Sequence, residues 1–239
     1  MQKYKNFETK KIISLHFKNC DKYSIMRKPL LMLGAAICAI IMLASCCGGE
    51  KKNEQIVNQT EKAMDFLELT KQRYSERYFD STRVVEQDKL DRILEAGRVA
   101  PTAANKQPQR LYVLKSKDAL QRAAAASFSP LYGAPVVILV CYDLDSVWKN
   151  SRETLLPDYN SGEQDCAIVA TQMMYAAEEQ GVHTIWIRGF DARNVKEAFN
   201  LPDNMIPAMM LPLGYPSEKS EPSPKHFERN PMEMMVTEL

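Results

Sequence analysis

The chain has 239 residues, of which 45% are hydrophobic and 26% charged, and a formal net charge of +1. That is apolar sequence enough for one domain with a sizeable core. Mixed charge without a basic stripe excludes a nucleic-acid surface. The six cysteines and three histidines are scattered without ligand spacing, which excludes a protein zinc site.

Residues 1–25 are largely polar and basic, with no period. Met26-Arg27-Lys28 then opens an apolar run from Pro29 to Ser45, which ends Leu43-Ala44-Ser45-Cys46. A cationic start, an apolar core and small residues read as an export signal rather than a fold element. Its end resembles a bacterial lipobox, with Cys46 the lipidated residue. A plain membrane anchor with two incidental cysteines is the competing reading. Met26 suits the start of a signal better than Met1, so residues 1–25 read as a misassigned extension. No twin-arginine pair is present, which implies export of an unfolded chain and insertion of any cofactor afterwards. The expected organisation is extension and signal over 1–46, a polar tether over 47–61, and a folded domain over 62–239. The expected location is the extracytoplasmic side of a bacterial envelope, on a lipid anchor.

Met64, Phe66, Leu67 and Leu69 predict a short helix with one apolar side. In the extended stretch that follows, alternation puts Arg73, Ser75 and Arg77 on one face. Two guanidiniums and a hydroxyl there suit a phosphate, because arginine offers fork-shaped donors and a permanent charge. An isolated RxSxR reads more readily as a solvated basic face. An amphipathic helix is expected over Asp88 to Val99, running into the stretch GRVAPTAANKQPQRLYVL. Pro101 and Pro108 stop the helix and hold the backbone extended. Thr102 and Ala103 let a ligand approach the main chain, and Asn105 and Gln107 offer amide donors and acceptors. The segment suits a flat ring with polar edges, and it also reads as an ordinary helix-to-strand loop.

After a strand at 111–114, Ser116 reads as the N-cap of a helix to about Ser127. The continuous apolar run Val136 to Cys141 predicts a central strand covered on both faces. Asp143 to Tyr159 is irregular and could hold a helix beside a loop over a pocket. Ser161-Gly162-Glu163-Gln164 has capping-box spacing and opens a long helix to Gln180, ended by Gly181. Ala167, Ala170, Thr171, Met174 and Ala177 offer it one close-packing side. His183 to Ile187 is β-like, Asp191 caps a helix to about Phe199, and Ile206 to Leu213 predicts a strand. Pro207 and Pro212 suggest that this strand lies at a sheet edge. Ser217 to Pro231 should run over the surface. Cys141 and Cys166 are expected to act as small buried hydrophobes.

RYSER, APTAANKQPQ, GAPVVILV, DCAIVATQMMYAAEEQGVHTIWIRGFD, LPLGYP and the late Arg229-Asn230-Pro231 resemble, in that order, the FMN-dependent nitroreductase family over roughly residues 62–236. The resemblance implies an α+β sandwich on a mostly antiparallel sheet, a homodimer, and FMN in two sites at the dimer interface. Residue by residue, it makes Arg73, Ser75 and Arg77 the phosphate and ribityl clamp, with Arg229 completing it. Pro101, Thr102, Ala103, Asn105 and Gln107 become the loop along a flavin held mainly by the other chain's arginines. Arg188 and Gly189 become the strand end whose backbone approaches flavin N5.

Gln109 departs from the tryptophan that many members carry, Arg188 from their glutamate or glycine, and Phe227 from a second late basic residue. The implied reaction is ping-pong hydride transfer from NAD(P)H or another donor to a nitroaromatic, quinone or similar acceptor. The chemistry would be the cofactor's, so no side chain is assigned a catalytic proton. A lipid-anchored flavin-binding or electron-transfer protein is the alternative.

Overall fold

A computed structural model of the chain describes residues 65–156 and 158–239. The expected export signal, Cys46 and the tether lie outside the described residues.

The sheet is built around one strand. The apolar run at its centre forms β2 (Val136–Asp143), buried along nearly its whole length. It pairs antiparallel with β1 (Gln109–Leu114) on one side and β4 (Met205–Gly214) on the other, and β3 (His183–Thr184) completes the order β1-β2-β4-β3. All ladder pairs are antiparallel. Helices α1 (Phe66–Gln72), α2 (Gln87–Arg98), α3 (Lys117–Ala126), α4 (Gly162–Glu179) and α5 (Ala192–Phe199) cover the sheet, giving an α+β sandwich.

Alternation along β2 sorts its side chains into two cores. Val136, Ile138, Val140 and Tyr142 meet Leu90 and Ile93 of α2 and Cys166, Val169 and Met173 of α4. Val137, Leu139 and Cys141 meet Ala123 of α3 and Val195 of α5. Gly97 lets α2 close on α4, since a Cβ there would sit 2.9 Å from Met173. The two central cysteines behave as expected. Both are buried, and burial pushes the Cys141 thiol up to about 12 and that of Cys166 up as well.

Three expectations are corrected. The strand with two prolines is interior, not at an edge. A bulge in this strand, where the register shifts between Val140 and Cys141, absorbs the missing donor of Pro207 opposite Cys141, and Pro212 serves the sheet as an acceptor, taking the N–H of Ile185 at 3.1 Å. Among the described residues from Asp143 to Tyr159 there is no helix. The stretch is a series of turns closed by a bridge between Lys149 and Asn160. On α4 only Thr171 departs from the expected packing side and faces solvent; Ala170 and Ala177 are in the core, Ala167 and Met174 pack against it, and Cys166, Val169 and Met173 are buried with them.

Local caps fold as the sequence demands in two places. The Ser116 hydroxyl accepts the N–H of Ala119 at 3.1 Å, and Asp191 accepts those of Arg193 and Asn194. The capping box at Ser161 does not form, because its hydroxyl is used elsewhere.

Candidate functional site

The expected site residues gather at the two ends of α4. At its start, the Ser161 hydroxyl donates to Asp165 Oδ2 at 2.6 Å and accepts the N–H of Trp148 at 3.2 Å. The other oxygen of the buried Asp165 carboxylate accepts the backbone N–H of Ala103 at 2.8 Å. This fastens the loop Pro101–Gln107 to the helix. Within the loop, Thr102 Oγ1 accepts the N–H of Gln107 at 3.0 Å, and Gln107 Nε2 donates to Asn105 Oδ1 at 3.1 Å. Ala104, Asn105 and Gln107 all have φ near +50° (49°, 54° and 49°), which is strained for residues with a Cβ. Asn105 and Gln107 remain exposed.

Arg188 reaches the same end of α4 from another direction. Its guanidinium lies 3.6 Å from Glu163 and 4.9 Å from the ring centroid of Phe190. Burial raises the Glu163 carboxyl above its ordinary range, with Arg188 opposing that shift. Gly189 has a packing reason. Its carbonyl accepts the N–H groups of Phe128 and Ser129, and a Cβ would overlap the Ser129 hydroxyl.

The clamp residues lie at the far end of α4. Ser75 bridges Thr184 in parallel, and the N–H of Glu76 donates to the Thr184 carbonyl at 3.0 Å. Glu76 is fully buried, so alternation turns its neighbours Arg73, Ser75 and Arg77 to the other face. Among the described residues, no carboxylate lies within ion-pair distance of Arg73, Arg77 or Arg229. Their charge is left for an anion, and this donor set fits a phosphate. Glu178 lies behind them. Burial raises its carboxyl, while His183 and then Arg73 hold it back. Arg229 is exposed and donates to the carbonyls of Glu228 and Lys225. It follows the turn at Pro224–His226, where the His226 ring nitrogen donates to the Lys71 carbonyl at 2.9 Å.

Loop and clamp are therefore far apart in one chain. Asp165 and Glu178 are separated by about 20 Å of helix. Glu163 and Asp165, two positions apart on α4, project to opposite sides, so Arg188 and Ala103 flank different faces of the helix. The sequence reading missed Ser161, Asp165, Glu76 and Glu178. A groove of about 720 Å³, lined by Val84, Lys117, Leu120 and Tyr132 among others, contains none of the expected site residues.

These features define a class: an α+β sandwich with a strained polar loop at one end of its long helix and unpaired arginines at the other. The nitroreductase family model matches residues 70–215. A nitroreductase family protein of Clostridium difficile 630 is 37% identical, with a TM-score of 0.67 over 73% of this chain and 98% of its own. A protein of Methanothermobacter thermautotrophicus, named for NADH dehydrogenase and NAD(P)H nitroreductase activity, is 29% identical over 161 residues, 65% of this chain and 79% of its own. A nitroreductase-type protein of Exiguobacterium sibiricum, crystallised with FMN, shares the fold at a TM-score of 0.63 and 23% identity, over 74% of this chain and 98% of its own. The chain belongs to the nitroreductase family, and its general activity is that of an oxidoreductase.

Proposed function

We propose that the chain is an FMN-dependent oxidoreductase whose two cofactor sites are each shared by two copies. The observation that carries this reading is the separation along α4. The loop that suits a flavin ring is about 20 Å of helix away from the arginines that suit its phosphate. A short ribityl chain cannot span that within one protomer. A second copy, related by two-fold symmetry, supplies the missing half of each site.

Arg73, Ser75, Arg77 and Arg229 would hold the phosphate. The Thr184–Arg188 segment leads from the clamp to the strand end, about 13 Å at extended spacing. Pro101, Thr102, Ala103, Asn105 and Gln107 of the other copy would line the ring. When bound, FMN supplies two-electron transfer between an NAD(P)H-type donor and an electron-poor acceptor such as a nitroaromatic or quinone. Asp165 fixes the loop, and the Glu163–Arg188 pair sets the charge beside the strand end. No side chain here is assigned a proton transfer, and donor and acceptor take turns at one open face.

Mixing two inactive variants tests the shared site. One chain carries Arg73→Ala and Arg77→Ala, the other Asn105→Leu. Co-expressed, they should regain one FMN per mixed dimer, because one of its two sites has both halves intact. Mixed dimers without FMN would contradict the shared site.

Export and lipidation at Cys46 belong to the same reading. The support is the run Pro29–Ser45 ahead of Cys46. Labelling with radioactive palmitate in a bacterial host should mark the wild-type chain and not Cys46→Ser. Label retained by the variant would contradict it.

A further inference from the structure

The Glu76 carboxylate stands at a junction. Its Oε1 accepts the backbone N–H groups of Arg77 at 2.8 Å and Tyr78 at 2.7 Å. These bonds fix the main chain at the point where the Arg77 side chain leaves it. Its Oε2 accepts from the Ser220 hydroxyl, and the Tyr74 hydroxyl lies 3.2 Å from that oxygen and 2.8 Å from Ser220 Oγ. Ser220 belongs to the segment that leaves β4. That segment is also tied at Ser217, whose N–H donates to the Tyr78 carbonyl at 2.8 Å, and at His226 on Lys71. Arg229 follows three residues later. One fully buried carboxylate thus touches both pieces of chain that carry the unpaired arginines.

A buried carboxylate must find donors for both oxygens, because an unmet lone pair costs the desolvation of the group. Glu76 gets its donors from the clamp backbone and from the late segment together. On Oε2, Ser220 of the late segment gives the shorter bond and Tyr74 of the clamp stretch the longer one, at 3.2 Å.

We propose that Glu76 is a positioning residue that joins the phosphate clamp to the C-terminal segment through Ser220, so that FMN binding and docking of residues 217–229 are one coupled event. This rests on the FMN reading above. Phosphate held between Arg73, Arg77 and Arg229 draws the segment down. The Ser220–Glu76 bond keeps the segment near the clamp before phosphate arrives.

The test uses the full-length chain in mild detergent, titrated with FMN by flavin fluorescence and digested with trypsin with and without FMN. In the wild type, FMN should slow cleavage after Lys225 and Arg229 about tenfold. Ser220→Ala should weaken FMN binding about tenfold, the loss expected for one hydrogen bond to a buried charge. Saturating FMN should no longer protect those two bonds. Ser220→Thr keeps the hydroxyl and should restore both readouts. Wild-type FMN affinity in Ser220→Ala, or protection unchanged by the variant, would overturn the coupling while leaving the FMN reading intact. A wild-type chain that takes up no FMN would defeat that reading itself, and the coupling with it.

Discussion

The Asp165 carboxylate accepts the backbone N–H of Ala103 at 2.8 Å, and so a buried acid on α4 holds the loop in which three non-glycine residues have positive φ. Each such residue costs on the order of 1–3 kcal/mol, so the loop needs an anchor to keep its shape. Asp165→Ala removes the acceptor of Ala103 and the partner of Ser161 together. We expect a loss of about 1.5–3 kcal/mol in urea unfolding, the range for a lost charged hydrogen bond. Unchanged stability would show that the loop holds its own conformation.

Gly189 is fixed by Ser129. Gly189→Ala should destabilise by about 1–3 kcal/mol, the range for overpacking. Adding Ser129→Ala removes the hydroxyl that the new Cβ would meet, while the Ser129 Cβ lies 3.4 Å from that position. The double variant should therefore recover most of the loss in thermal unfolding. Additive losses would mean that the glycine is required for another reason.

Much of this fold follows from local pattern. The apolar run of β2, the caps at Ser116 and Asp191, and the stop at Gly181 each depend on residues a few positions apart, and each was legible. The residues missed each have at least one partner that local pattern does not reveal. Ala103 and Asp165 are 62 positions apart, and Ser220 and Glu76 are 144 apart. Nothing near Ser161 says that its hydroxyl turns to Asp165 rather than capping α4. Nor does a proline announce that a bulge in its own strand will accommodate it, as at Pro207. The clamp and loop residues were legible as chemistry, but the helix that separates them was needed to show that one chain cannot close the site.

Glu178 makes stability depend on pH. Its carboxyl is raised by burial, so its favourable contribution is complete below the unfolded carboxylate value and is lost as pH rises through the folded one. Glu178→Gln removes that loss. The variant should match the wild type in mild acid and exceed it at neutral and higher pH, by about 2–4 °C in Tm for each kcal/mol recovered. A constant Tm difference across pH 4 to 8 would contradict this.

Arg188 does not stand alone beside the strand end, because Glu163 lies 3.6 Å away. Positive charge near a flavin favours its reduced, anionic form. In the FMN-loaded protein, Arg188→Ala should lower the reduction potential and Glu163→Gln should raise it, each by about 30 mV if the charge is worth about 1.4 kcal/mol. Anaerobic dye titration reads both. Shifts of the same sign would show that the pair does not act through charge.

The most direct test is the visible spectrum of the purified full-length chain, followed by anaerobic addition of NADH and NADPH. The account predicts a yellow protein with flavin absorbance, bound at one FMN per chain, that bleaches when a donor is added. A colourless protein that also fails to take up added FMN would contradict it.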